Sequence, residues 1–310
     1  MRILIIGAGA IGGYFGGRLL EAGRDVTFLV RPPRAEQLDR DGLIVRSPSG
    51  NIQYPAPPRV LAAELDSPYD LILLSCKAYD LDTAAEAFAP AVGAETLILP
   101  LLNGMAHIEA LAARFSAANV LGGQCLISVD RDQSGAILHL NDTHLLSFGE
   151  LDGSLGTRVR RVADVFANAG FEATLSDGIV QDMWEKWCFI ATAAGATCAM
   201  RAAVGDILQA GGEPMVRGLY EECAAVAAHS GHALREPARQ RALDMLTHVG
   251  SPMMASMLRD IERGAPIEAD QVIGDLIARR GHAHLSSTGM LDRVYLHLKA
   301  YEARRSREAG

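Results

Sequence analysis

The chain opens on Met1-Arg-Ile-Leu-Ile-Ile and runs straight into Gly7-Ala8-Gly9-Ala10-Ile11-Gly12. A short apolar run, a glycine-rich turn and a helix-forming stretch through Leu19-Leu20 follow in that order. This order limits the fold more than any other feature. Gly7 permits a tight turn, Gly9 lets backbone approach a pyrophosphate, and Gly12 allows the helix to pack closely on the strand. Ala10 and Ile11 then lie in the first turn, where unpaired N–H groups attract phosphate. A purely structural glycine turn has the same letters, but this one sits between a strand and a helix, the context that dinucleotide binding requires.

The second strand, Asp25–Val30, ends in Arg31, about 20 residues beyond the turn. An Asp or Glu there would bind the 2′-hydroxyl of NAD. Arginine suits the 2′-phosphate of NADP, and Arg34 and Lys77 add positive charge to the same end. The plainer alternative for Arg31 is a solvated side chain at a strand end.

In the first half, strand-like runs (Leu71–Ser75, Thr96–Leu99, Val120–Ile127) alternate with helical ones (Ile11–Ala22, Thr83–Ala89, His107–Phe115). Such alternation indicates a parallel sheet covered on both faces. Two antiparallel excursions are expected, Leu43–Tyr54 around Ser49-Gly50 and Ala136–Phe148 around Asn141-Asp142. After a last strand, Phe171–Leu175, helical spacing takes over in Asp182–Met200, Met215–His229 and Ile267–Arg280. Ser251-Pro252 reads as the start of a helix ending near Gly264, and Lys299–Gly310 as a polar, fraying tail. The predicted fold class is α/β: a Rossmann-type domain over residues 1–176, then a mainly α-helical substrate and catalytic domain over 177–310.

Composition narrows the partners. Twenty-nine Lys+Arg against 37 Asp+Glu give a net charge of -8 without a basic block, which offers no footprint for nucleic acid. Five scattered cysteines (Cys76, Cys125, Cys188, Cys198, Cys223) form no C-x-x-C pair, which favours free thiols in a reducing compartment. The least polar run, Trp187 to Met200, is too short to span a bilayer, and the N-terminal apolar run meets glycine too early for a signal peptide. The expected location is cytoplasmic. Neither His229/His232 nor His282/His284 has convincing metal-ligand spacing, so no metal is expected.

Lys186 stands out in Asp182-Met-Trp-Glu-Lys186-Trp-Cys-Phe-Ile-Ala-Thr, because no charge follows it for many residues. An ammonium beside apolar surroundings loses its proton more readily, which suits a proton donor. A lysine snorkelling at a helix edge is the competing reading. Glu268 is a candidate counter-ion.

Over nearly its whole length the sequence resembles the ketopantoate reductase (2-dehydropantoate 2-reductase) family. The resemblance rests on Gly-Ala-Gly-Ala-Ile-Gly, Cys-Lys77-Ala-Tyr, Leu-Leu-Asn103-Gly-Met, Met-Trp-Glu-Lys186, Ser256-Met-Leu-Arg-Asp-Ile and Ile-Glu268-Ala-Asp, in that order. It implies NADPH-dependent reduction of a 2-oxo acid to a 2-hydroxy acid, the ketopantoate-to-pantoate step of pantothenate biosynthesis. It also implies roles. Lys186 donates a proton to the ketone oxygen, Asn103 holds substrate and nicotinamide, and Ser256 binds the substrate carboxylate. Glu268 stands near the nicotinamide ribose and the lysine, while Arg31 and Lys77 surround the adenosine phosphate.

The family pattern also carries asparagines four and eight residues after the lysine, and another before a Gly-acid pair. Here those positions hold Ile190, Ala194 and Val204. Their loss favours a 2-oxo acid with a more apolar tail, or a non-catalytic NADP(H)-binding sensor. Thr197 returns to the lysine's helical face and is a candidate substrate contact, unless it bonds its own helix backbone. The sequence leaves the oligomeric state open, a homodimer among the options.

Overall fold

The computed structural model describes residues 1–281 and 289–309. It divides into two compact units, Met1–Leu102 with His107–Val180, and Asn103–Ala106 with Gln181–Gly310. The first begins with β1 (Arg2–Ile6), α1 (Ala10–Glu21), β2 (Asp25–Leu29), α2 (Pro32–Asp41), β3 (Leu43–Arg46), β4 (Ile52–Tyr54) and β5 (Arg59–Val60). It continues through β6 (Leu71–Leu74), α3 (Leu81–Phe88), β7 (Leu97–Pro100), α4 (Ala106–Arg114), β8 (Leu121–Arg131), β9 (Ile137–Glu150), α5 (Thr157–Phe166) and β10 (Glu172–Leu175).

Two sheets result. One is all parallel, in the order β5-β2-β1-β6-β7. β1 lies at its centre, with Ile3, Leu4 and Ile5 at most 1% exposed, which is why the run is continuously apolar rather than alternating. The other sheet runs β10-β9-β3-β4, with β8 antiparallel to β9. Helix α1 passes between elements of both sheets on a glycine surface. A Cβ at Gly16 would meet the Phe28 ring at 2.6 Å, and one at Gly13 would meet Ile137 Cδ1 at 2.2 Å. A helix with side chains at those positions could not approach both sheets at once.

The Leu43–Tyr54 hairpin forms as expected, with Leu43 opposite Tyr54. The second expected hairpin does not turn at Asn141-Asp142. The turn is at Asp132–Ala136, where Asp132 Oδ1 accepts the Ala136 N–H and the Ser134 hydroxyl and Gly135 takes a φ of 86°. Asn141-Asp142 instead lies in a bulge of β9. Ile127 pairs with His144 and Val129 with His139, and Asn141 Oδ1 takes the intervening Ser128 N–H at 2.9 Å.

The second unit is helical: α6 (Ile179–Met200), which starts in the last residues of the first unit, then α7 (Val204–Gln209), α8 (Glu213–His229), α9 (Glu236–Leu246) and α10 (Ser256–Glu262). A π-helical turn at Asp270–Gly274, α11 (Asp275–Arg279) and α12 (Met290–Ala309) complete it. Small residues along α6 let α8 come close, for a Cβ at Gly195 would meet Leu219 Cδ2 at 2.7 Å.

Two helix boundaries depart from the sequence reading. Ser251-Pro252 starts no helix, because the Ser251 and Met253 carbonyls accept the N–H groups of Gly205 and Val204, holding the segment open until Ser256. The tail does not fray at Lys299 but stays helical through Ala309. Lys299 pairs with Asp270, the Tyr301 hydroxyl donates to the Ala265 carbonyl, and Arg305 donates to the Gly264 carbonyl. No helix among the described residues is long and apolar enough to cross a membrane.

Candidate active site

At the glycine turn, Gly7 has φ 87°, and its N–H donates to the Leu29 carbonyl at 2.9 Å. Gly12 sits against the turn itself: a Cβ there would meet Gly7 O at 2.3 Å and Ser75 Oγ at 2.4 Å. Gly9 is the reverse case, with nothing within 4 Å of an added Cβ. It caps α1 in extended backbone without a side-chain cap, and the first turn, beginning Ala10-Ile11-Gly12, carries no acid. The helix thus presents unsatisfied N–H groups to open space, the arrangement that a pyrophosphate fits.

Arg31 precedes α2, and its carbonyl accepts the N–H groups of Arg34 and Ala35. Its guanidinium meets Asp80 at 2.9 Å. Arg34 reaches the glycine turn: Nε donates to the Ala8 carbonyl at 3.0 Å and one terminal nitrogen to Gln37 and Gly135, while the other is buried without a partner. Burial and nearby Arg131 lower its pKa to about 10, so it stays a cation at neutral pH. Lys77 stands in extended backbone just before the short turn Ala78–Asp80. Glu150, at the end of β9, is held by Arg158 through two bonds of 2.6 and 2.5 Å.

In the helical unit, one turn of chain links the segments that carry three of the expected site residues. Lys186 and Trp187 are adjacent on α6. The Trp187 indole N–H donates to the Val272 carbonyl at 2.9 Å in a buried bond, and the Val272 N–H donates to the Glu268 carbonyl at 2.9 Å. The backbone widens here, with the Asp275 N–H donating five residues back to Asp270. From the same turn Gln271 Nε2 donates to the Asn103 carbonyl at 2.9 Å. Gly104 allows that approach, because a Cβ there would stand 2.7 Å from the Gln271 carbonyl oxygen. Glu268 is 9% exposed and Lys186 half-buried. Neither Trp187 nor Gln271 was distinguishable in the sequence as part of this site, since their partners lie 85 and 168 residues away.

Further along α6 the lysine's face is apolar. Ile190 and Ala194 follow at helical spacing. Thr197 is fully buried; its hydroxyl donates to the Ala193 carbonyl at 2.7 Å and accepts the Ala255 N–H at 3.4 Å. Thr197 therefore anchors the segment leading to Ser256, which is exposed in the first turn of α10. Val204 is fully buried, with its N–H on the Met253 carbonyl.

Before Lys186, Glu185 faces away into an ion cluster. Burial opposes its ionisation, but Arg235, donating from Nε, a terminal nitrogen and its backbone N–H, holds the carboxyl below the usual range. Of the histidines weighed above, His232 stacks on Trp184, while His282 and His284 lie outside the described residues. No group of three or more metal-ligating side chains occurs among the described residues.

A parallel sheet that opens on a strand, glycine turn and helix, followed in the chain by a helical unit, is an architecture found among dinucleotide-dependent oxidoreductases. Family models agree: "Ketopantoate reductase PanE/ApbA" matches residues 3–153 and its C-terminal counterpart residues 178–302. The chain belongs to the ketopantoate reductase family. It is 37% identical over 304 residues to an uncharacterized oxidoreductase, YkpB, of Bacillus subtilis (strain 168), covering 98% of this chain and 99% of that one. The crystal structure of 2-dehydropantoate 2-reductase from Methylococcus capsulatus superposes with a TM-score of 0.86 at 29% identity, over 99% of this chain and 98% of that one. D-mandelate dehydrogenase, solved with NADH and anilino(oxo)acetate, shares the fold at 23% identity and a TM-score of 0.87, over 99% of this chain and 100% of that one.

Proposed function

We propose that the chain is a cytoplasmic, NADPH-dependent reductase of 2-oxo acids whose preferred substrate has an apolar tail. The observation that carries the reaction class is the turn that joins the segments bearing Lys186, Glu268 and Asn103. Bound NADPH supplies the hydride. The open space at Gly9 and the uncapped start of α1 suit its pyrophosphate, and Arg31, Arg34 and Lys77 supply cations for its 2′-phosphate.

The rest is done by the chain's own groups. Lys186 gives a proton to the ketone oxygen as the carbon is reduced, and solvent returns one to the amine afterwards. Glu268, largely shielded from water, stabilises the ammonium before transfer and orients the ribose. Asn103 presents its amide to substrate and cofactor, with its backbone fixed by Gln271. The Ser256 hydroxyl takes the substrate carboxylate. Beyond the reacting carbon the tail meets Ile190 and Ala194, and the hydroxyl of Thr197 is already engaged by its own helix. A substrate hydroxyl there would go unpaired at a cost of about 1–3 kcal/mol. Steady-state NADPH oxidation with a panel of 2-oxo acids, ketopantoate included, tests this reading. Turnover with the apolar members is expected, and a chain that binds NADPH but turns over none of them would instead be a sensor.

A further inference from the structure

Arg31 follows β2 and Asp80 follows β6, the two strands that flank β1. Their ion pair therefore bridges the carboxyl end of β1, where the glycine turn begins. Asp80 immediately precedes α3, yet its side chain makes no bond to that helix. The backbone explains this: with φ −98° and ψ 0°, Asp80 lacks the extended conformation from which an aspartate caps its own helix. The carboxylate turns to Arg31 instead. Both side chains are solvated, 69% and 37% exposed, so the bond is a weak and exchangeable one.

We propose that Asp80 is a specificity-determining residue that competes with the cofactor's 2′-phosphate for Arg31. The inference rests on the dinucleotide reading above. A phosphate arriving at Arg31 must displace the carboxylate and then remain beside it, and like charges at that range repel. Asp80 thus weakens the preference for a 2′-phosphorylated dinucleotide that Arg31 creates. A dinucleotide with a free 2′-hydroxyl meets no such opposition.

The test uses calorimetric titration of the full chain with 2′,5′-ADP and with 5′-AMP, so that it needs no turnover. Asp80→Asn should tighten 2′,5′-ADP by about two- to fivefold and leave 5′-AMP unchanged. Unchanged or weaker 2′,5′-ADP binding overturns the proposal, and a selective loss of 5′-AMP would make Asp80 a ribose ligand. Arg31→Ala separates the underlying reading: if it leaves 2′,5′-ADP binding intact, the 2′-phosphate site itself fails and the competition with it. Retained 5′-AMP binding shows that each variant is folded.

Discussion

The indole N–H of Trp187 donates to the carbonyl of Val272, and this buried bond fixes the helix of Lys186 to the turn that follows Glu268. Trp187→Phe removes the donor and, with it, the five-membered half of a fully buried indole. The Val272 carbonyl loses its partner and a small cavity opens beside it, so stability should fall by at least about 1–3 kcal/mol in urea melts. Because the lysine's helix loses an anchor beside the reacting atoms, kcat should fall while NADPH affinity holds. An unchanged kcat would show that the bond serves folding alone.

Two of the turn's three glycines, Gly12 and Gly9, separate fold from function. Gly12→Ala drives a methyl into the Gly7 carbonyl and Ser75, and should destabilise the protein by about 1–3 kcal/mol in thermal melts. Gly9→Ala meets nothing in the protein, so its melting temperature should stay near that of wild type. Its dinucleotide affinity should drop, because the methyl enters the space assigned to pyrophosphate.

Much of this was legible in the sequence and some was not, for physical reasons. β1, the glycine turn and α1 are a local unit, and local patterning fixes them. The Asn141-Asp142 pair has the composition of a turn, but the choice between turn and bulge depends on strand pairing across thirteen residues, from Asn141 to Ser128. The glycine surface of α1 serves a second sheet whose existence only the β3–β9 pairing reveals. The helical tail likewise depends on Asp270, Ala265 and Gly264, some 30–40 residues away. The site residues stand out by chemistry, whereas the groups that hold them, Trp187 and Gln271, do so only by position.

Acid sensitivity should arise in two windows. Burial lowers the pKa of His144, helped by His139 and Arg18, and burial alone lowers that of His232. Both are therefore more readily protonated unfolded than folded. Their neutral forms cost nothing above the unfolded value of about 6.5, and stability falls as pH drops below it and through the folded values. Glu185 acts lower: its folded pKa is depressed, so its contribution is present above the ordinary carboxylate value of about 4.3 and lost below it. Melting temperatures should decline as pH falls below about 6.5, and His144→Asn should flatten part of that decline. A profile flat to pH 5 would contradict the histidine assignment.

Restoring the missing amides should restore a taste for hydroxyl-bearing substrates. Ile190→Asn with Ala194→Asn should raise kcat/KM for ketopantoate, relative to 2-oxo acids lacking its hydroxyl, by about tenfold or more. A ratio that stays at the wild-type value would mean that the tail does not lie along this face of α6.

The proton donor is the centre of the account, and single-turnover NADPH oxidation by Lys186→Ala, with cofactor binding titrated in parallel, tests it most directly. The rate should fall by about 10²–10⁴-fold while NADPH affinity stays within a small factor. A variant that reduces the same 2-oxo acid at near wild-type rate would remove Lys186 from the chemistry.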